Sequence, residues 1–305
     1  MKIMVFDVGG TEIKYSVMDE QMHRTNSGAV PTPQDTQAQF LDAVYRLYAP
    51  HKDEVSGIAM ALPGFVDNRT GYVSNGGALL YNTATPVGQL LAENCGCPVI
   101  LENDGKAAAM AELANGALKD CCNAAVFIIG TGVGGGIIAN GQLVRGVHFT
   151  AGEYSFVNTN AEAWDAPDQN MACQCSTSNL LKWYRARKAL PEDAPLDGRS
   201  FFAAANAGEP EALEVLRRFC HAVAVQIYNL TVLLDVEKVA IGGGISKQPL
   251  LLESLRSAYD GLYASRAGQA YMEGLPRCQI VPCAFSSEAN QVGVAAAYFE
   301  AIQKK

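Results

Sequence analysis

The sequence repeats one pattern, a short apolar strand followed by a glycine-rich turn. Residues 2–7 (KIMVFD) lead into Gly9-Gly10 and a second predicted strand, and residues 124–129 (AAVFII) lead into glycine-rich residues 130–136 and a predicted strand pair around Asn140-Gly141. Short apolar runs bounded by glycines are typical of strands, and Asn-Gly favours a tight hairpin. Because predicted helices follow in each block, we expect a duplicated α/β fold with two lobes around a cleft.

The boundary between the two lobes is predicted near residue 118. A chain of 305 residues is long enough for two domains, here an N-terminal α/β lobe at 1–118 and a C-terminal α/β lobe at 119–305. A last helix is predicted at about 288–302, and the sequence leaves open whether it packs back on the N-terminal lobe.

The charge balance argues against a nucleic-acid partner. The chain has 31 acidic and 23 basic residues, a formal net charge of -8. Such a protein repels phosphate backbones unless it carries a local basic patch. The densest basic run, residues 182–188, is helix-like, and we interpret it as a solvated helix face.

The sequence predicts neither an N-terminal leader nor a membrane-spanning segment. Asp7 interrupts the first apolar run before it could become the core of a signal peptide. The longest uncharged window, residues 121–144, contains six glycines, which disfavours a spanning helix. Without a leader, the nine cysteines are expected to be reduced thiols of a cytoplasmic protein.

The first glycine turn has the composition of a phosphate-binding turn. In residues 7–14 (DVGGTEIK) the glycines allow a phosphate to approach the backbone, and Thr11 supplies a hydroxyl. Asp7 stands where it could hold a metal ion through water. The alternative is a plain hairpin turn.

Two further glycine turns follow later strands. Residues 130–136 match G-x-G-x-x-G, but a hairpin rather than a helix is predicted next, so a phosphate clamp of backbone N–H groups is favoured over a dinucleotide site. Residues 242–244 (GGG) stand between a strand and a helix. This position suits a nucleoside or phosphate at a helix N-terminus, or simply a tight turn.

A carboxylate stands where a predicted strand ends and an alanine-rich helix begins. In Glu102-Asn103-Asp104, either Asn103 or Asp104 could cap the helix. Ligands of α/β folds bind at such strand ends, and a helix N-terminus stabilises the ionised carboxylate. Asp104 could therefore accept a proton from a substrate hydroxyl. Phosphoryl transfer requires only modest basicity of the group that does so.

Three segments together resemble the ROK (repressor, open reading frame, kinase) family of sugar kinases, which has the actin/hexokinase, ribonuclease H-like ATPase fold. They are DVGGTEIK at 7–14, LENDGKAAAMAE at 101–112, and IGTGVGGGIIANGQLVRG at 129–146 followed by AGE at 151–153. The similarity extends through IGGGIS at 241–246. Within the family the chain looks most like the β-glucoside kinases.

The resemblance implies a role for each matching residue. Asp104 would be the general base for a sugar 6-hydroxyl, and Asp7 would organise Mg²⁺ through water. The residues implied in sugar binding are Asn103, Glu153 and Gly77. Those implied in ATP binding are Asp7, Gly9, Gly10, Thr11, Lys14, Thr131, Gly132, Gly243 and Gly244. ATP and Mg²⁺ are the expected cofactors, and a homodimer is the expected assembly.

The chain departs from the family pattern at several positions. A family zinc motif begins at Cys173-Gln174-Cys175, but Leu180 and Phe156 stand at the next cysteine position and at the histidine position. Two thiols cannot complete a structural zinc site, so we predict no zinc. Lys182 replaces a sugar-contacting glutamate. Lys106 replaces an asparagine, and it is expected either to pair with a carboxylate or to face solvent.

The sequence thus predicts an ATP- and Mg²⁺-dependent kinase that phosphorylates the 6-hydroxyl of a β-glucoside or glucose-type hexose. One alternative is an N-acylhexosamine kinase acting on N-acetylmannosamine or N-acetylglucosamine. The other is a non-catalytic sugar-binding regulator. The first predicted strand begins by residue 3, which leaves no room for an N-terminal DNA-binding module of the kind found in repressor members.

Overall fold

The computed structural model describes residues 1–303. Its strands are β1 (Lys2–Val8), β2 (Glu12–Asp19), β3 (Arg24–Pro31), β4 (Ile58–Leu62), β5 (Phe65–Asp67), β6 (Tyr72–Asn75), β7 (Val99–Asn103), β8 (Ala124–Ile129), β9 (Val133–Ala139), β10 (Gln142–Val144), β11 (Lys238–Gly242) and β12 (Gln279–Pro282). Its helices are α1 (Gln37–Tyr48), α2 (Val87–Cys95), α3 (Asp104–Asn115), α4 (Met171–Cys175), α5 (Thr177–Arg187), α6 (Gly198–Asn206), α7 (Pro210–Leu234), α8 (Pro249–Ala264) and α9 (Ala289–Gln303).

The residues group into two compact units. Unit 1 contains Met1–Gly116, Leu143–Ala151 and the chain from Ser287 onward, and unit 2 contains Ala117–Gln142 and Gly152–Ser286. Among the helices of residues 1–303, none combines the length and apolar character needed to span a bilayer.

The two five-stranded sheets have the same topology. In unit 1 the strand order is β3-β2-β1-β4-β7, with β1 antiparallel to β2 and parallel to β4. The second sheet has the order β10-β9-β8-β11-β12, with β8 antiparallel to β9 and parallel to β11. This repetition confirms the predicted duplicated α/β fold.

The central strands are apolar because both faces of each sheet are covered. All five residues of β4 are buried, as a parallel strand between two helical layers requires. On α1, Phe40, Val44 and Tyr48 repeat at helical spacing and face the core of unit 1. Helix α6 and the short β5–β6 hairpin were not predicted, since each is a short element without a long periodic pattern.

The second glycine turn is shorter than predicted. Gly134, Gly135 and Gly136 do not belong to a turn, because they lie in β9 and pair with residues of β8. Gly135 has φ 143°, and a Cβ there would overlap the Val126 carbonyl oxygen. The glycine is therefore required by close backbone contact within the sheet. Only residues 130–132 remain as a turn able to face a ligand, so the prediction that it reached residue 136 was wrong.

Helix α9 packs on α3 within unit 1 at a very short distance. A Cβ on Gly293 of α9 would overlap the carbonyl oxygen of Ala107 in α3. Both segments are helical there, and the atom that a Cβ would meet belongs to the backbone rather than to a flexible side chain. The contact thus depends on glycine at this position.

We expect Gly293→Ala to lower the free energy of unfolding by about 3 kcal/mol, because the two helices must separate to admit a methyl group. The matched control is Gly261→Ala in α8, where a Cβ would meet nothing within 4 Å. That change should alter stability by less than about 1 kcal/mol, in the stabilising direction. Urea denaturation measures both, and equal effects of the two substitutions would contradict the packing argument.

Candidate active site

Three parallel strands of unit 1 end at the same edge of the sheet. Asp7 of β1 is aligned with Ala61 of β4, which is aligned with Glu102 of β7. Neighbouring strands are spaced by about 4.8 Å, so the backbones at Asp7 and Glu102 lie about 10 Å apart. The sheet therefore brings the first glycine turn and the Glu102-Asn103-Asp104 segment to one edge, as expected for a ligand site in an α/β fold.

Asp7 is held by a residue far away in the sequence. Its Oδ1 accepts a hydrogen bond from Asn290 Nδ2 at 2.9 Å, and its Oδ2 lies 4.0 Å from Lys14 Nζ. Burial raises the pKa of Asp7, while the Asn290 hydrogen bond and the Lys14 charge oppose that shift. Asn290 is in α9, and no local sequence signal pointed to it.

The turn after β1 is fixed through its carbonyl groups. The Gly9 carbonyl accepts a hydrogen bond from Thr32 Oγ1 at 2.8 Å, and the Gly10 carbonyl accepts one from Gln34 Nε2 at 2.7 Å. Thr11 at the end of the turn is exposed. The turn is thus held by two side-chain hydrogen bonds and carries an exposed threonine, which is compatible with the predicted role in phosphate binding.

Asn103 and Asp104 form the corner between β7 and α3. Asn103 caps α3, since its Oδ1 accepts from Lys106 N at 3.0 Å, and its Nδ2 donates to the Gly64 carbonyl at 2.9 Å. Each amide atom keeps capacity for a second hydrogen bond. Asp104 is the first residue of α3 and is half-buried, and its Oδ1 accepts from Gly105 N at 2.7 Å. The Asn103 amide can therefore still bond to a ligand.

Gly77 lies beside this corner. It has φ 57°, and its N–H donates to Asn75 Oδ1 at 2.8 Å. A Cβ on Gly77 would lie 2.8 Å from the nitrogen of Gly64, the residue whose carbonyl holds Asn103. The structure thus brings Gly77, Gly64 and Asn103 together.

In unit 2 the short turn after β8 is tied to the segment that carries Glu153. Ser155 Oγ accepts from Val133 N at 3.0 Å and donates to the Val133 carbonyl at 3.1 Å. Thr131 is exposed, and Gly132 lies against the Ser155 hydroxyl. The turn and the segment at 153–155 therefore hold a fixed arrangement.

Glu153 precedes a single 3₁₀ turn, Tyr154–Phe156, and is half-buried. Its carbonyl accepts from Phe156 N at 3.1 Å. Tyr154 anchors the segment on β9, because its hydroxyl donates to the Gly136 carbonyl at 3.1 Å. Thr131, Gly132 and Glu153 thus belong to one local structure.

The third glycine turn follows β11. Gly243 has φ 95°, and a Cβ there would overlap the carbonyl oxygen of Ile129 at the end of β8. Gly244 is exposed with open space around it. Helix α8 begins only at Pro249, and Ser246 N bonds to the Gly243 carbonyl at 3.1 Å. The turn is therefore a tight turn and not a helix N-terminus.

The comparisons with known proteins agree with these motifs. The model of the ROK family matches residues 3–301. The chain belongs to the ROK family.

Two curated relatives from this family differ in acceptor. The chain is 31% identical over 258 residues to a beta-glucoside kinase of Listeria innocua, covering 84% of this chain and 87% of the relative. It is 30% identical over 277 residues to an N-acetyl-D-glucosamine kinase of Vibrio atlanticus, covering 82% and 86%.

A solved structure gives the same picture for the fold. The ROK glucokinase of Streptomyces griseus, in complex with glucose and AMPPNP, superposes with a TM-score of 0.79 at 25% identity, covering 97% of this chain and 99% of that one.

The ROK zinc positions hold no set of zinc ligands in this chain. Cys173 and Cys175 lie in α4, Leu180 is fully buried, and Phe156 is 71% exposed. Within residues 1–303, no group of three or more His, Cys, Asp and Glu side chains is placed to hold a metal ion. Lys182, which the resemblance places at a sugar-contacting glutamate position, is exposed on α5.

Lys106, which replaces the usual ROK asparagine, is only 1% exposed. The expectation that it could face solvent was therefore wrong. Its positive charge acts on Glu102 and lowers the pKa of that carboxyl, while burial of Glu102 raises it by more. Lys106 therefore lies in the charged surroundings of Glu102, and the alternative that it pairs with a carboxylate stays a prediction.

Proposed function

We propose that this ATP-dependent sugar kinase transfers the γ-phosphate of ATP to the 6-hydroxyl of a β-glucoside or glucose-type hexose, with Asp104 as the general base. The observation that carries the proposal is the position of Asp104, which opens α3 at the strand edge beside Asn103. The similarity to a beta-glucoside kinase and to a glucokinase supports the choice of acceptor.

Asn103 and Asp104 would have different roles toward the sugar. Asn103, fixed to Gly64, would orient the hydroxyls with its remaining hydrogen-bonding capacity. Asp104 would accept the proton of the 6-hydroxyl as that oxygen forms its bond to the γ-phosphorus and ADP departs. Glu153 and Gly77 would contribute further contacts to the sugar.

The glycine turns and Asp7 fit the phosphates and a magnesium ion. Mg²⁺ prefers oxygen ligands and keeps most of its water, so a carboxylate such as Asp7 can hold it through water. Gly9, Gly10, Thr11 and Lys14 in unit 1 are proposed to bind phosphate. In unit 2 Thr131 and Gly132 would do the same, while Gly243 and Gly244 would border the adenosine. The ion would neutralise charge on the phosphates during transfer.

The N-acylhexosamine alternative has one observation in its favour, the 30% identity to an N-acetyl-D-glucosamine kinase. It differs from the first proposal only in the acceptor. We also propose a homodimer from the resemblance to ROK kinases and, from the sequence pattern alone, a cytoplasmic location and domain limits of 1–118 and 119–305.

A panel of acceptors with Mg·ATP tests the function. Purified protein should phosphorylate a β-glucoside or glucose with a kcat/KM at least about 10-fold above that for N-acetylglucosamine and N-acetylmannosamine, consistent with about 1.4 kcal/mol of discrimination. The product's phosphate position is read by NMR. A higher kcat/KM for an N-acylhexosamine would select the alternative, and sugar binding without phosphoryl transfer would select the regulator.

On the best acceptor, Asp104→Asn should lower kcat by about 10²–10⁴-fold while the sugar still binds, because the amide cannot accept the proton. Asp42→Asn is the matched control, since Asp42 lies on α1 in an exposed pair with Arg46. It should leave kcat unchanged. Full turnover by the Asp104 variant would show that another group is the base.

Removal of the Asn290 hydrogen bond should shift the pH dependence of nucleotide binding. Asn290 lowers the pKa of Asp7, so Asn290→Leu raises that pKa further above its ordinary value. The ionised Asp7 is then lost at a higher pH as the solution is acidified. The KM for Mg·ATP should therefore begin to rise at a higher pH than in the wild type.

Steady-state KM values from neutral to acid pH measure this shift. Asn115→Leu, an exposed asparagine at the end of α3, is the control and should follow the wild-type profile. Superimposable profiles for all three proteins would show that Asp7 takes no part in binding Mg·ATP.

A further inference from the structure

Glu102 is a buried carboxylate that the proposed chemistry does not use. It precedes Asn103 and Asp104 directly, and its side chain is 1% exposed. Burial raises the pKa of this carboxyl, and positively charged neighbours oppose the shift. A carboxylate in this position requires partners, because an unpaired buried charge is strongly destabilising.

The main partner is Arg145, which comes from 43 residues further along the chain. Arg145 Nε donates to Glu102 Oε2 at 2.8 Å, and Glu102 Oε1 accepts from Asn103 N at 3.1 Å. Arg145 Nη2 also contacts Met110 Sδ in α3 at 3.4 Å. Arg145 therefore touches the strand before the Asn103-Asp104 corner and the helix after it.

Arg145 also opens a loop with an unusual backbone. The Arg145 carbonyl accepts a hydrogen bond from Ala151 N at 3.2 Å, and this bond joins the two ends of the loop 145–151. Within the loop Phe149 has φ 60° although it is not glycine, and it is 8% exposed with the Arg69 guanidinium 4.6 Å from its ring centroid. Such a conformation persists only where the surroundings fix it, and it is typical of functional sites.

We propose that Arg145, acting through Glu102, is a positioning residue that fixes both the Asn103-Asp104 corner and the loop 145–151 for sugar phosphorylation. The proposal rests on the proposed sugar-kinase function. It assigns a role to an arginine and a glutamate that lie outside the residues implied in substrate contact. The chemistry is that of a carboxylate excluded from water and joined by a short hydrogen bond to a guanidinium whose side chain is 26% exposed.

Arg145→Met should lower kcat/KM for the sugar by about 10- to 100-fold, because small displacements of a base cost large factors in rate. The KM for Mg·ATP should change by less than about 2-fold, since Arg145 contacts none of the proposed phosphate-binding residues of unit 1. Arg145→Lys should be intermediate, because an ammonium keeps the charge without the guanidinium geometry.

A surface ion pair supplies the control. Arg46 Nη2 and Asp42 Oδ2 on α1 are 2.9 Å apart, with the arginine 77% exposed. Arg46→Met removes the same chemical group without touching the corner, so both kinetic constants should stay at the wild-type values.

The double variant Glu102→Met with Arg145→Met separates positioning from stability. A buried ion pair replaced by an apolar pair often leaves stability unchanged or improved. Because the buried Lys106 loses the charge of Glu102 in this variant, we expect it to regain part of the urea stability that Arg145→Met loses, while its kcat/KM for the sugar stays about 10- to 100-fold low. If activity returned together with stability, the pair would be structural only and the proposal would fall.

Hydrogen exchange tests the positioning role independently of catalysis. If the wild type phosphorylated no sugar on the panel, that result would contradict the proposed function but not the positioning role. Arg145→Met should then speed amide exchange in the segments 99–106 and 145–151 and nowhere else in unit 1. Unchanged exchange in both segments would overturn the positioning role.

Discussion

The parallel pairing of β1, β4 and β7 determines where the chemistry of unit 1 can lie. The ladder aligns Asp7 with Ala61 and Ala61 with Glu102, so the two acidic strand ends share one edge. A slip of one residue in either pairing would turn these side chains to the opposite face of the sheet. Because β4 is apolar and fully buried, such a slip would be energetically costly. The register therefore fixes the position of Asp104, which lies one residue beyond β7.

Several glycines that look like ligand-binding residues are required by backbone packing. Gly135 lies against the Val126 carbonyl, and Gly243 lies against the Ile129 carbonyl. Neither position tolerates a Cβ, whatever the ligand. Gly244 is different, because it is exposed and a Cβ there would meet nothing within 4 Å. Glycine content therefore marks both close packing and ligand approach, and only the three-dimensional contacts separate the two.

Local signals predicted the fold and the presence of a helix cap at the candidate site. The duplicated strand–turn pattern predicted the two similar sheets, and residue type and position predicted a cap at Asn103 or Asp104, of which the structure shows Asn103. Contacts across long sequence separations could not be predicted. Asn290 reaches Asp7 over 283 residues, and Arg145 reaches Glu102 over 43. Nothing near either residue in the sequence indicates its partner, because the pairing depends on how α9 and the loop 145–151 fold back on the sheet.

The buried charges around α3 are best understood through their cost. Glu102, Lys106 and Glu112 are each at most 1% exposed, in a helix region otherwise rich in alanine. Ion pairs in such surroundings seldom stabilise a fold more than apolar residues of similar volume. An apolar set would also pack there, but it would not add the Arg145–Glu102 hydrogen bond to the helix cap and the Gly64 contact that hold the Asn103-Asp104 corner. Directional hydrogen bonds from a guanidinium restrict the corner in more than one direction, which apolar packing does not do.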